Sequence, residues 1–191
     1  MRRSIQMLAA VVVAGAVGVA VAVADKGGSA STRSVAATFT ATASNVKTSA
    51  CAGANGVAFR ITRATFTGTS TSTEPSLNGP LRVSAKMVVN TATGDGFVKG
   101  SFRVRPTTNP GASAKLTGVV SGNTALKGFL RGNVRNGENR RNRGNARGGA
   151  LMANFSATQT GTALTGELGG TPSGKDSAIV FSGSCGEDDG D

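Results

Sequence analysis

One seven-residue pattern, Leu-x-Gly-x-(Val/Leu)-x-Gly, occurs three times in this chain, at residues 116–122, 126–132 and 164–170. Side chains alternate between the two faces of a β-strand, so every specified position of the pattern lies on one face. That face carries large apolar residues together with glycines, which lets neighbouring strands approach closely. The pattern therefore predicts a small, tightly closed β-structure.

Alternating apolar and polar residues extend this prediction to most of the chain after residue 34. Turn signals that tolerate positive φ, such as Asn78-Gly79 and Asp95-Gly96, separate the alternating segments. We therefore predict an all-β fold, a single antiparallel meander of eight to nine strands closed as a small β-barrel, because closure removes exposed strand edges. A two-sheet β-sandwich is the alternative. The predicted strands lie at residues 35–43, 57–69, 81–91, 98–105, 116–122, 126–132, 151–157, 164–170 and 179–185.

Two features inside these strands call for an explanation. The apolar positions change parity between Ile61 and Ala64, which predicts a β-bulge there or, alternatively, two separate short strands. Glycine normally weakens a strand interior, so inward glycines predict close packing against opposing Phe or Leu side chains. Those glycines occupy positions 100, 118, 128, 132, 166 and 183.

The N-terminus has the form of a secretory signal. Arg2 and Arg3 precede an Ala/Val/Gly run over residues 7–24, which ends in Ala22-Val23-Ala24 before Asp25. We predict a signal peptide at residues 1–24, with an uncleaved membrane anchor as the alternative. The expected mature chain has no stable membrane span and is secreted or retained in the cell envelope. It would comprise a flexible lead-in at 25–34, a barrel domain at 35–185 and an acidic tail at 186–191.

The chain contains two cysteines, Cys51 and Cys185, near opposite ends of the predicted domain. In an exported protein two lone cysteines most simply pair, so we predict a Cys51–Cys185 disulfide. Two free, buried thiols are the alternative.

Composition argues against catalysis. The chain has no His, Trp or Tyr, which removes imidazole bases, Ser-His-Asp and Cys-His sites and His-ligated metals. The carboxylates suggest no paired acid and base on one inner face, and the terminal acids lack the spacing of a calcium loop. We therefore predict a protein that is not an enzyme and uses no cofactor or metal. The carboxylates considered are Glu74, Asp95, Glu138, Glu167 and Asp176.

The strongest candidate for function is an Arg-rich loop at residues 137–149. The chain carries 21 Lys and Arg against 10 Asp and Glu, a formal net charge of +11, and this segment concentrates the excess. Arginine binds phosphate, sulfate and carboxylate groups through its planar fork. The loop predicts contact with an extracellular polyanion, namely DNA, an anionic wall polymer or an acidic polysaccharide; a solvated surface loop is the alternative. The predicted polyanion-binding residues are Arg135, Arg140, Arg141, Arg143 and Arg147.

A second candidate function follows from the predicted barrel. Eight-stranded barrels can enclose one small molecule, so a lipocalin-like container for an apolar ligand is the alternative to an envelope or matrix protein that binds polyanions. The glycine and leucine interior argues for a filled barrel.

Four short segments resemble small exported β-rich proteins of GC-rich bacteria. They are residues 65–70 (Thr-Phe-Thr-Gly-Thr-Ser), 77–79 (Leu-Asn-Gly), 96–100 (Gly-Phe-Val-Lys-Gly) and 151–156 (Leu-Met-Ala-Asn-Phe-Ser). The resemblance implies export and a β-rich fold and supplies no activity. Allene oxide cyclase-like and dirigent barrels resemble the predicted architecture, but no catalytic motif of theirs carries over.

Overall fold

Ten β-strands dominate the structure, a computed structural model that describes residues 19–23, 31–53, 56–108, 110–134 and 149–169. A single turn of 3₁₀-helix, Pro75–Leu77, lies between two of them. The strands are β1 Val19–Val23, β2 Ser31–Val35, β3 Ala37–Ala52, β4 Ala58–Ser72, β5 Gly79–Asn90, β6 Gly96–Val104, β7 Ala112–Ser121, β8 Ala125–Val134, β9 Gly149–Thr160 and β10 Ala163–Gly169.

The strands β3 to β10 form a closed, eight-stranded antiparallel meander. Each pairs with the next along the chain, and β10 pairs with both β9 and β3, which closes the sheet. The predicted barrel is confirmed, and the sandwich alternative is wrong because one continuous ladder runs around the wall. Local sequence supports the hairpins: in the β7–β8 turn Gly122 (φ 57°) and Asn123 (φ 65°) both have positive φ, as a type I′ turn requires.

Alternation of burial along the strands creates the core. In β6, Val98, Phe102 and Val104 are buried while Lys99, Ser101 and Arg103 are exposed. The barrel has two ends. The hairpin end carries the turns 91–95, 122–124 and 161–162 and the tip of the long β3–β4 hairpin. The loop end carries the connections 73–78 and 105–111, together with Val134 at the end of β8 and Gly149 at the start of β9. Leu77 of the 3₁₀ turn joins the core from the loop end and is fully buried.

The predicted bulge in β4 is wrong in position. Strand β4 pairs with β5 without interruption from Phe59 to Ser70. The register shift lies in β3, between Ala43 and Asn45. The parity change arises because Phe59 and Ile61 lie on the outer face of an uninterrupted strand, whereas Ala64 and Phe66 face the core.

The N-terminal strands add a hairpin to the barrel. Strand β1 lies within the segment predicted as a signal peptide; it pairs with β2 and, at Val21 and Ala22, with the start of β9. The last residues of the predicted lead-in lie in β2. The predicted strand at 179–185, the acidic tail and Cys185 lie outside the described residues.

Candidate functional site

Apart from Gly149, the Arg-rich loop lies outside the described residues, which end at Val134 before it and resume at Gly149. Val134 and Gly149 are direct register partners on β8 and β9 at the loop end. Arg135, Arg140, Arg141, Arg143 and Arg147 lie outside the described residues. Their part in polyanion binding stays a prediction.

The described residues contain a second basic surface, which sequence reasoning did not assemble. It covers the outer faces of β3 to β8, and all of its members are exposed except the half-buried Lys86. None of the strands β3 to β8 contains an Asp or Glu. We call this surface the basic wall. Its members are the outward cationic residues that have a cationic register partner on a neighbouring strand, a criterion that excludes Lys127 of β8; they are Lys47, Arg63, Arg82, Lys86, Lys99, Arg103, Lys115 and Arg131.

Four members of the wall lie in one line across four strands. Lys47 of β3 is the register partner of Arg63 on β4, Arg63 is the partner of Lys86 on β5, and Lys86 is the partner of Lys99 on β6. We call these four residues the basic row. Neighbouring strands are about 4.8 Å apart, so four cationic side chains start within roughly 15 Å of one another. Like charges directly opposite across strands destabilise a sheet, which makes this arrangement costly unless anions lie near it.

The basic row borders an open groove of about 420 Å³. Its lining also includes Asn45, Thr65, Ser84 and Ser101, which carry hydroxyl or amide groups and are register partners in the next outward row, two residues along each strand from the basic row. The Lys99 ammonium lies 5.6 Å from the centre of the Phe97 ring, a cation–π contact that holds it near the wall. Cationic groups flanked by hydroxyl donors suit phosphate, sulfate or carboxylate oxygens. We call this the basic groove.

The wall continues from the groove to the loop end. Arg82 pairs with Arg103 across β5 and β6, and Lys115 pairs with Arg131 across β7 and β8. A smaller cleft of about 130 Å³ lies beside Arg103 and Arg105. Arg131 is three residues from the end of β8, so the wall leads toward the start of the Arg-rich loop.

The described carboxylates lie outside strands β3 to β8, each in a different element. Asp95 Oδ1 accepts a hydrogen bond from the Gly122 amide (3.3 Å) in the hairpin-end turns. Glu74 Oε1 accepts one from Ser76 Oγ (2.9 Å) at the 3₁₀ turn. Glu167 lies on β10, opposite Thr38 and Ser156. Glu138 and Asp176 lie outside the described residues, within which no group of three or more Cys, Asp or Glu residues could hold a metal ion.

The barrel interior carries three phenylalanines that meet across it. The ring of Phe39 on β3 stacks on Phe155 of β9 at 5.4 Å and meets Phe102 of β6 edge-on at 5.8 Å. Strands β3 and β6 are three places apart around the wall, so their contact spans the lumen. At this level the interior holds side chains, an arrangement that does not favour the container function.

Cys51 lies half-buried near the end of β3, opposite Phe59. Cys51 is not a free thiol and has an interaction partner. Because Cys185 lies outside the described residues, the Cys51–Cys185 disulfide stays a prediction.

No protein-family model, curated protein or solved structure matches this chain. Within the part of the chain that the structure describes, no helix has the length and apolarity needed to span a membrane.

Proposed function

We propose that this protein is an exported, non-catalytic binding protein that attaches to polyanions through its basic wall. The observation that carries the proposal is the basic row, in which four cationic residues stand in register on adjacent strands. A sheet tolerates such repulsion best where the surface meets anionic groups, because these offset the like-charge interaction. DNA, anionic wall polymers and acidic polysaccharides all present closely spaced anions of this kind.

The wall has the extent that polymer binding needs. Its eight cationic residues spread over six consecutive strands, from Lys47 on β3 to Arg131 on β8. The predicted Arg-rich loop would extend this surface at the loop end. Wall and loop together could follow a polymer over several repeating units, whereas one isolated ion pair on a surface contributes little.

Salt-gradient elution of the full chain from immobilised DNA and immobilised heparin tests this proposal. A row variant (Lys47, Arg63, Lys86 and Lys99 changed to Thr) and a loop variant (Arg140, Arg141, Arg143 and Arg147 changed to Ser) lose the same number of positive charges, so each controls for the net charge of the other. We expect the row variant to elute at clearly lower salt than the loop variant. The affinity of the wild type for DNA falls between about 50 and 200 mM salt because bound phosphates release counterions. If the row variant loses four such contacts, its affinity should fall by a factor roughly a hundredfold smaller over the same range.

Other outcomes assign the binding differently. Earlier elution of the loop variant would move the site to the Arg-rich loop. Equal elution of both variants from DNA and heparin, as from a plain cation exchanger, would reduce the effect to net charge and end the proposal.

A further inference from the structure

The basic row has a candidate ligand within the same chain. Residues 187–191 (Glu-Asp-Asp-Gly-Asp) carry four side-chain carboxylates, equal in number to the cationic residues of the row. We propose that this acidic segment, the tail, binds the basic groove and competes there with external polyanions, so that the protein is autoinhibited. The inference rests on the proposed function and on the predicted disulfide.

The predicted disulfide brings the acidic residues within reach. Cys51 and Lys47 are four residues apart on β3, and both are on the outer face because their register partners, Phe59 and Arg63, are. Four residues of strand span about 13 Å. Glu187 follows Cys185 by two residues and Asp191 by six, so an extended tail reaches between roughly 7 and 20 Å from the disulfide. The whole basic row falls inside that radius, since its strands are about 4.8 Å apart.

The charges of the two partners complement each other. The strands that form the row contain no acidic residue, and the described carboxylates Glu74, Asp95 and Glu167 lie in other elements. A tethered anion is present at an effective concentration in the millimolar range. Weak individual ion pairs then suffice for substantial occupancy, because binding no longer brings two molecules together.

Competition predicts a specific coupling between tail and groove. Neutralising the tail should strengthen polyanion binding by at least about fivefold, the lower end of measured couplings between two sites. The gain should depend on an intact groove. A tail that acts only through net charge would instead give the same gain whichever basic residues are present.

A double-mutant cycle measures this coupling, with fluorescein-labelled heparin as the ligand and the full chain throughout. The tail variant is Glu187→Gln with Asp188, Asp189 and Asp191 changed to Asn; the groove variant is Arg63→Thr with Lys86→Thr. The control variant, Lys115→Thr with Lys127→Thr, removes the same charge from β7 and β8. We expect the tail variant to raise affinity about fivefold or more in the wild-type and control backgrounds and less than about twofold in the groove background. Equal gains in all three backgrounds would overturn the proposal.

Carbodiimide cross-linking without any polyanion gives an independent measurement. The reagent joins carboxylates to amines in direct contact, and peptide mass spectrometry locates the bond. We expect tail carboxylates joined to Lys47, Lys86 or Lys99, and no such bonds when the disulfide is reduced before the reagent is added. Bonds to Lys115 and Lys127 at equal yield, or no bond to the groove lysines, would overturn the tail contact. If the cross-links form while no variant binds heparin or DNA, the tail contact stands and the proposed function fails.

Discussion

At the scale of single residues, the inward glycines show how tightly the barrel closes. Gly118 and Gly128 are register partners on β7 and β8. A methyl group built on Gly118 would lie 2.7 Å from the Cα of Gly128 and would also meet the carbonyl oxygen of Lys127. The sequence had predicted opposing Phe or Leu side chains as the reason for these glycines. That reason holds at Gly166, which faces Phe39; at Gly118 and Gly128 the nearest atoms are backbone.

A Gly128→Ala substitution tests this close approach. The added methyl group meets the backbone of β7, which cannot rotate away as a side chain can, so we expect a loss of about 1–3 kcal/mol in the free energy of unfolding. Urea denaturation measures it. The control is Gly161→Asn in the β9–β10 turn, where φ is 58° and nothing lies within 4 Å; asparagine tolerates that conformation, so stability should hardly change. A Gly128→Ala variant as stable as the wild type would contradict the packing argument.

At the scale of strands, pairing of like charges is the unusual property of the wall. Arg82 on β5 faces Arg103 on β6, with neutral Thr67 and Ser113 as their outer neighbours. Cross-strand pairs contribute to sheet stability with either sign, and two guanidinium groups in this position repel. A surface selected for stability alone would place opposite charges here. The repulsion is a property of the face that the proposed function uses.

An Arg82→Thr variant should be more stable than the wild type at low salt. We expect a gain of about 0.2–1 kcal/mol beyond that of the control Lys127→Thr, whose register partners Val119 and Ser156 are uncharged. Both changes introduce the same residue into a strand, so their difference isolates the charge pair. Thermal unfolding at about 10 mM and about 1 M salt should show the difference disappear as the screening length falls to roughly 3 Å. A difference that persists in high salt would mean that repulsion is not its cause.

At the scale of the whole molecule, closure of the barrel depends on hydrogen-bond ladders between strands that follow one another in sequence and on one long-range pairing, between the first and last strands of the barrel. Strand β10 joins β3 over Ala37–Thr42, while the remainder of β3 extends past β10 toward Cys51. The predicted disulfide would fix this extension to the C-terminal segment. It would constrain the unfolded chain over a loop of about 130 residues, for which chain entropy gives a stabilisation of roughly 4–5 kcal/mol.

Reduction of the full chain tests the disulfide. Without reductant, alkylation followed by mass measurement should modify neither cysteine. With dithiothreitol, the free energy of unfolding should fall by about 4–5 kcal/mol. A Cys51→Ser, Cys185→Ser variant should match the reduced wild type and be insensitive to the reductant. Two alkylated thiols in the unreduced protein would show that the pairing is wrong.

The sequence by itself determined the fold class and the side of the wall on which most residues lie. Period-two alternation in β5 and β6 is enough to place Arg82, Lys86 and Lys99 outward, because each strand's pattern is local. The Leu-Gly repeats likewise predicted close-packed strands, and Gly118 and Gly128 of the first two repeats are direct partners on β7 and β8. The existence of strands was therefore more predictable than their limits: β3 continues nine residues past its predicted end at residue 43, and β4 three residues past its predicted end at residue 69.

Only the tertiary structure decided that the cations form a row. Without the register shift after Ala43, Lys47 would share the inward parity of Phe39 and Ala41; the shift turns it outward, opposite Arg63. No residue pattern in β3 predicts that shift, and the alternation of apolar residues instead predicted a bulge in β4. Register across strands is set by turn geometry, bulges and barrel closure acting together, and a change of one residue moves every side chain to the other face. Alternation along one strand is a local property that the sequence carries, whereas alignment of charges across four strands depends on the closed sheet.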